Sequence, residues 1–357
     1  MSIGPNFIRL ARLAEERCVP LSVTLELGLA CNLRCVHCYN FDRDLPRHPS
    51  PTRGAEMSDA EIFRVIDEVR AEGALFLAFT GGEPLSHPRL DEFVAHAART
   101  GMLVRLKSNG TLLTRARARD LTRRGVRAVD VSVYGASSRT HDDFVRQDGA
   151  FVKTLAGIRN SRQAGLEVRL SFIVSSANSE EVTSMIVLAH RLDVPFNLDT
   201  HLTARHDLSR SSLGLALDRS AFERLYRGPL APFVRAPRAQ GDPIACPCAR
   251  SVCGIGSCGD VYPCIGAPLP AGNVRGGGFR AIWRESPTLR WVRGLRNTDF
   301  SACDGCSHAP YCHRTSGVML NNTGEFTGPR NFGDDACCVE AEVIHEAAEG
   351  TEAKLAG

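Results

Sequence analysis

Cys31, Cys35 and Cys38 fall within twelve residues, "LACNLRCVHCYN" (29–40), just beyond an apolar run. Three thiolates in one loop can converge on an iron–sulfur cube, whose four irons normally each take one protein ligand. Three ligands leave one iron open. An open coordination position separates a reactive metal site from a closed structural one, as it does for zinc. A helical alternative stands beside this: positions 31, 35 and 38 are i, i+4 and i+7, one face of a helix, and cysteine also serves as a small buried hydrophobe.

The chain carries fourteen cysteines in 357 residues, far more than a cytosolic protein of this size needs for packing. In a reducing compartment they read as metal ligands before disulfides. After Cys38 none occurs until Cys246, and a second group follows in "CPCARSVCGIGSCGDVYPC" (246–264), "CDGCSHAPYC" (303–312) and the pair Cys337 and Cys338. The Cys303-x2-Cys306 spacing suits a tetrahedral zinc knuckle as well as an iron–sulfur ligand set.

The cysteine-free middle must position these groups. A strand over 20–30 is followed by a helix over 58–73, where Ser58 and Glu61 form a capping box. A buried strand then ends in "TGGEP" (80–84), and helices over 89–100, 114–124 and 149–164 alternate with strands over 103–110, 128–135 and 167–175. Such alternation specifies parallel strands with crossover helices. A barrel or partial barrel is favoured over an open doubly wound sheet, because "TGGEP" lacks the spacing of a dinucleotide fingerprint. The three-cysteine loop, "TGGEP" and "SNGT" (108–111) each follow a strand, so they meet over one end of the sheet.

Cys31-x3-Cys35-x2-Cys38 directly after a first strand resembles the signature of the radical S-adenosylmethionine (SAM) enzymes, over most of residues 20–200. The resemblance implies a partial (β/α)6 TIM-type barrel in α/β class, with a [4Fe–4S] cluster whose open iron chelates SAM. It further implies reductive cleavage of SAM to a 5′-deoxyadenosyl radical that removes a hydrogen atom from substrate. Gly81, Gly82 and Glu83 match the family loop that binds the methionine amine. Ser108 and Asn109 match the ribose-facing strand end, Ser132 and Arg146 the fourth-strand region, and Tyr39 the position packing near adenine. Ser and Asn are also ordinary turn residues, and Arg an ordinary surface charge.

The second cysteine group resembles the SPASM extension of that family, a C-terminal cysteine-rich domain carrying two auxiliary iron–sulfur clusters. Three [4Fe–4S] clusters are thus implied. The resemblance gives Cys246 and Cys264 to the first auxiliary cluster, and Cys303, Cys306, Cys312 and either Cys337 or Cys338 to the second, with Cys337 preferred. The family's further cysteine, four positions after Cys312, is Ser316 here. Cys253, Cys248 or Cys258 then completes the first cluster, or one iron stays open; Cys253 is carried forward as the candidate. Sulfatase-maturing relatives place Asp after the residue matching Cys264, where this chain has Ile265; formylglycine formation is not expected.

The expected organisation is an N-terminal segment (1–19), a radical SAM core (20–235), an auxiliary-cluster domain (236–345) and a tail (346–357). The favoured activity is a radical SAM maturase forming a crosslink or oxidised residue on a peptide or protein, as in ribosomal peptide maturation. The alternatives are a dehydrogenase or epimerase for a small molecule such as a sugar or aminocyclitol, and a non-catalytic zinc-binding protein. About twenty residues before the first strand are too few for a fused leader-recognition domain, so leader recognition is expected from a separate protein or from the barrel itself, with flavodoxin or ferredoxin as electron donor. A net charge of +3 and the absence of a basic cluster with interleaved aromatics exclude nucleic acid as main partner. No run long enough to span a membrane and no secretory signal is present, so the expected location is the cytoplasm.

Overall fold

The computed structural model describes residues 5–44, 54–234, 246–301, 303–312, 316–328 and 336–355. Helix α1 (Pro5–Glu16) precedes six strands, β1 (Ser22–Glu26), β2 (Phe76–Thr80), β3 (Leu103–Ser108), β4 (Val126–Val133), β5 (Glu167–Ile173) and β6 (Phe196–Asp199). Each pairs in parallel with the next in sequence. Parallel neighbours require a crossover. It is supplied by α2 (Asp59–Ala71), α3 (Leu90–Arg99), α4 (Arg115–Arg124), α5 (Ser138–Val145) with α6 (Ala150–Gln163), and α7 (Val182–Leu192).

Strand alternation divides the sheet into an apolar and a polar face. Val23, Leu25, Leu77, Phe79, Val104, Leu106, Val131 and Leu170 are fully or almost fully buried in one core with Ile62, Val65 and Ile66 of α2 and Phe93 of α3. The intervening positions are Thr24, Glu26, Thr80, Arg105, Lys107, Asp130, Ser132 and Ser171. They line the concave side, so the hollow of the partial barrel is polar. Helix α2 begins with the expected capping box: the Glu61 carboxylate accepts from the Ser58 N–H at 2.7 Å and the Ser58 hydroxyl from the Glu61 N–H at 3.4 Å.

The sheet does not close. Strand β6 is one edge, and beyond β1 the order continues through β7 (Val252–Ile255), parallel to β1, then β8 (Asp260–Tyr262) and β9 (Gly272–Asn273), both antiparallel. The cysteine-rich region is thereby built onto the barrel sheet itself. Helix α8 (Arg219–Tyr226) lies between β6 and β7, and α9 (Gly278–Glu285), α10 (Pro287–Gly294), α11 (Ser316–Thr323) and α12 (Ala336–Leu355) follow β9. A second apolar cluster, with Phe222 and Leu225 of α8, Val343 and Ile344 of α12, and Val174 and Val182, packs α12 beside the β6 edge.

Two elements depart from the sequence expectation. Helix α5 occupies a stretch expected only to continue the fourth-strand region; Ser137 caps it by accepting from the Thr140 N–H, and Arg146 ends it in the left-handed conformation, φ +54°. Helix α12 continues without interruption through the boundary expected at 345/346. The boundary expected at 235/236 lies outside the described residues. Among the described residues no helix is long and apolar enough to cross a membrane.

Candidate active site

Residues 31–38 form no helix, so the one-face helical alternative for the three cysteines does not hold. All three thiols are half-buried in a loop leaving β1. The Leu33 N–H donates to Cys31 Sγ at 3.4 Å, and Arg43 Nε donates to Cys38 Sγ at 3.4 Å while its Nη1 holds the Leu29 carbonyl at 2.9 Å. Burial raises the Cys31 and Cys35 thiols above their ordinary range, and for Cys35 the charges of Cys31 and Cys38 raise it further. Three thiolates this close need a cationic centre among them. A donor set of three clustered thiols beside a guanidinium fits an iron–sulfur cube.

The glycine-rich turn packs directly on this loop. The Gly82 N–H donates to the Gly28 carbonyl at 2.8 Å and the Glu83 N–H to the Ala30 carbonyl at 2.9 Å. A Cβ on Gly82 would lie 2.1 Å from the Ala30 oxygen, and Gly81 adopts φ +128° with the Gly28 oxygen 2.2 Å from where its Cβ would sit. Glycine is therefore required at both positions for backbone approach.

Glu83 is almost fully buried. Its carboxylate accepts from Ser108 Oγ at 2.8 Å, the Asn109 N–H at 2.8 Å and the Leu85 N–H at 3.0 Å. Burial pushes it up to about 7 against those three donors. The Asn109 amide in turn donates to Asn32 Oδ1 at 2.9 Å, and the Asn32 amide to Thr111 Oγ1 at 2.9 Å. The loops after β1, β2 and β3 are thus one hydrogen-bonded unit.

The remaining expected SAM contacts are distributed around that unit. Tyr39 donates to Glu26 Oε1 at 2.7 Å, with its ring edge-on to His206 at 5.1 Å. Ser132 shares a hydrogen bond with Tyr134, whose ring stacks on Phe144 at 4.7 Å. Arg146 pairs with Asp44 at a half-exposed position on the outer side of the cysteine loop.

Sequence reasoning passed over Arg205 and His206, which lie in a segment without a motif. Arg205, 3% exposed, donates to the Cys38 carbonyl at 3.0 Å and the Val36 carbonyl at 2.7 Å, and pairs with Asp42 at 3.4 Å. The His206 N–H donates to the Tyr39 carbonyl at 2.8 Å. The only signal available was an Arg-His pair after the last strand.

A cavity of about 1140 Å³ opens between this loop and the cysteine-rich region. Its wall includes Tyr39, Lys107, Asp199, His201, Ile265 and Glu340. His201 lies 3.0 Å from the Glu340 carboxylate and 3.7 Å from Asp199. Burial alone would lower its pKa, but hydrogen bonding and charge from Asp199 and Glu340 outweigh burial and raise it to about 10. Tyr226 also donates to Glu340, at 2.7 Å.

In the cysteine-rich region, the Cys248 thiol lies within hydrogen-bonding reach of both Cys246 and Cys264. The Ala249 N–H donates to the Pro263 carbonyl at 3.0 Å and Arg250 Nη1 to the Cys246 carbonyl at 3.1 Å, fixing the two segments together. Cys246, Cys248 and Ser316 line one small cleft. Cys253, the candidate carried forward to complete the first auxiliary cluster, sits on β7 opposite Val23, fully buried in the main apolar core, because strand alternation turns it toward the helices. Cys258 is directed elsewhere, donating to the Gly54 carbonyl at 3.0 Å. The turn N–H groups of Cys306 and Cys312 donate to the Cys303 and Ala309 carbonyls at 3.2 Å each. Cys303, Cys337 and Cys338 border the same apolar cluster, with Cys337 buried and Cys338 half-buried.

Comparison with known proteins accords with this arrangement. The Radical SAM superfamily matches residues 25–186, and the iron-sulfur cluster-binding SPASM domain matches residues 246–308. The chain is 29% identical over 338 residues to an AdoMet-dependent heme synthase of Methanosarcina barkeri, covering 86% of this chain and 94% of that one. It is 29% identical over 344 residues to the mycofactocin maturase MftC of Mycobacterium tuberculosis, covering 90% and 83%. Among solved structures, anSMEcpe with bound AdoMet superposes with a TM-score of 0.67 at 15% identity, covering 94% of this chain and 99% of that one. Streptococcus suis SuiB bound to its precursor peptide SuiA gives 0.65 at 14% identity, covering 94% and 82%; both likenesses concern the fold. Three clustered thiols at the end of β1, a glycine turn fitted against them and a second cysteine group on the same sheet are features of an enzyme, and this chain belongs to the radical SAM superfamily with a SPASM domain.

Proposed function

We propose that this enzyme uses SAM to abstract a hydrogen atom from a peptide or protein, forming a crosslink or an oxidised residue. The observation carrying this reading is the cavity, which has the Tyr39 end of the three-cysteine loop on one wall and Ile265, next to Cys264, on another. A substrate there would lie between the two cysteine groups. The similarity to MftC, a mycofactocin maturase, supports a peptide.

A cluster held by Cys31, Cys35 and Cys38 would supply the electron that cleaves SAM to a 5′-deoxyadenosyl radical. Arg43 donates to Cys38 Sγ at 3.4 Å and so ties the third cysteine to the loop. Glu83 and Asn32 hold the three loops in register, leaving the backbone of Gly81 and Gly82, with Asn109, Ser132 and Tyr39, as the surfaces for SAM. Cys246, Cys248 and Cys264 form one auxiliary ligand set, and Cys303, Cys306, Cys312 and one of Cys337 or Cys338 the other, giving three [4Fe–4S] clusters. A flavodoxin or ferredoxin supplies electrons, and a separate leader-binding protein accompanies a peptide substrate.

A second reading, oxidation of a small molecule, is favoured by the similarity to the heme synthase over most of both chains. Anaerobically reconstituted protein, reduced and given SAM, is expected to form 5′-deoxyadenosine, and Cys35→Ala to form none. Equal product from wild type and Cys35→Ala would overturn the radical assignment; stoichiometric zinc with little iron would do the same. Mass spectrometry of candidate peptides and of tetrapyrroles in that mixture separates the two substrate readings.

A further inference from the structure

Lys107 projects from the concave face of β3 into the large cavity, and its accessible surface belongs to the cavity wall. The carboxylate nearest in register, Asp130 on β4, is already paired with Arg105 at 2.5 Å. Among the described residues Lys107 makes no hydrogen bond or ion pair. Lys107 is exposed to the water of that cavity, so its ammonium is a hydrated cation open to an incoming anion.

The carboxylates on the wall already have partners, Asp193 with Arg162 of α6 at 2.8 Å among them. Asp199 and Glu340 flank His201, and Tyr39 is bound to Glu26. Among the described residues Lys107 is the lysine or arginine on that wall, and it lies close enough to Cys264 for their charges to interact. A group anchored on it would be held near Cys264 in the cavity that Tyr39 also lines. Asp130, Asp199 and Glu340 nearby disfavour a dianion such as phosphate, whereas a single negative charge with two acceptor oxygens matches one ammonium.

We infer that Lys107 binds a carboxylate of the substrate and so selects carboxylate-bearing molecules for this cavity. The inference rests on the proposed radical function only for the identity of the cavity as the substrate site. A peptide terminus or acidic side chain and an acidic side arm of a tetrapyrrole share this chemistry.

The test is equilibrium binding to anaerobic holoenzyme of two probe pairs: coproporphyrin III against its tetramethyl ester, and N-acetyl-Ala-Ala-Phe-Ala as free acid against its amide. A charge-assisted hydrogen bond corresponds to about tenfold in affinity or more, so the acid of at least one pair should bind about tenfold tighter. The pair that discriminates identifies the source of the carboxylate. K107M and K107Q should both abolish that preference, and K107R should restore most of it. Equal binding of acid and capped forms in both pairs, or a preference that survives in either neutral variant, overturns the anchor. Formation of 5′-deoxyadenosine by the wild type is scored separately: its absence defeats the radical reading, while loss of the acid preference defeats only Lys107.

Discussion

Ser108 donates its hydroxyl to Glu83 at 2.8 Å, so two positions expected to face SAM are bound to each other. The Glu83 carboxylate is the joint between the glycine turn after β2 and the loop after β3, and it accepts three donors in a buried setting. Glu83→Gln places an amide against at least one of those donors. Leaving a buried donor unmatched costs about 1–3 kcal/mol. The variant should melt lower and form less 5′-deoxyadenosine, whereas Ser108→Ala, which removes one donor and leaves two, should retain more of both. Thermal melts of the two variants side by side decide it; an unchanged Tm for Glu83→Gln refutes the joint.

Arg205 couples the segment after β6 to the cysteine loop through the Val36 and Cys38 carbonyls. Arg205→Ala strips both acceptors of their donor and leaves Asp42 without this cation, while Arg205→Lys lacks the planar fork needed to reach two carbonyls. Both should load less iron at the first site, alanine more severely. Iron and sulfide analysis after reconstitution checks this, and full loading of Arg205→Ala would show the clamp to be dispensable.

What could be read from residues alone follows from how local each signal is. Period-two apolar strands and a capping box at Ser58 are encoded by neighbours, and so were legible. The three-cysteine loop is likewise contained in twelve residues. Arg205 acts on a loop more than 160 residues away, and His201 on Glu340, 139 positions along the chain; only the folded sheet brings them together. Cys253 shows the limit from the other side. Spacing alone allowed any of three thiols to accompany Cys246 and Cys264; the alternation of β7 buries Cys253, while Cys248 stays within reach of both.

His201 gives a dependence on pH. Its folded pKa, about 10, lies above the ordinary imidazole value of 6.5. A raised cationic group stabilises the fold fully below the unfolded value, and that contribution is lost as pH rises through the folded one. Facing it are Asp199 on β6 and Glu340 on α12, with Tyr226 of α8 on the same carboxylate. The urea midpoint of wild type should therefore fall between about pH 7 and pH 10, and His201→Gln should start lower at pH 7 and fall less. Parallel slopes for the two proteins would show that His201 is not the titrating group.

Cys248 and Cys253 offer the sharpest contrast in the cysteine-rich region. Cys248 touches Cys246 and Cys264 and shares a cleft with Ser316, whereas Cys253 lies in the apolar core. On the proposed three clusters of four irons each, Cys248→Ala should lower iron from about twelve to about eight per chain. Cys253→Ala should keep its iron and lose only packing, because one small buried side chain is removed. On this proposal the cluster at Cys246, Cys248 and Cys264 would keep an open iron, as the one at Cys31, Cys35 and Cys38 does, so Mössbauer spectra should show two distinct iron sites, one of which Ser316→Cys converts to match its neighbours. Iron retained in Cys248→Ala but lost in Cys253→Ala would reverse the assignment, placing the ligand on β7 and requiring that strand to turn its inner face toward the cluster.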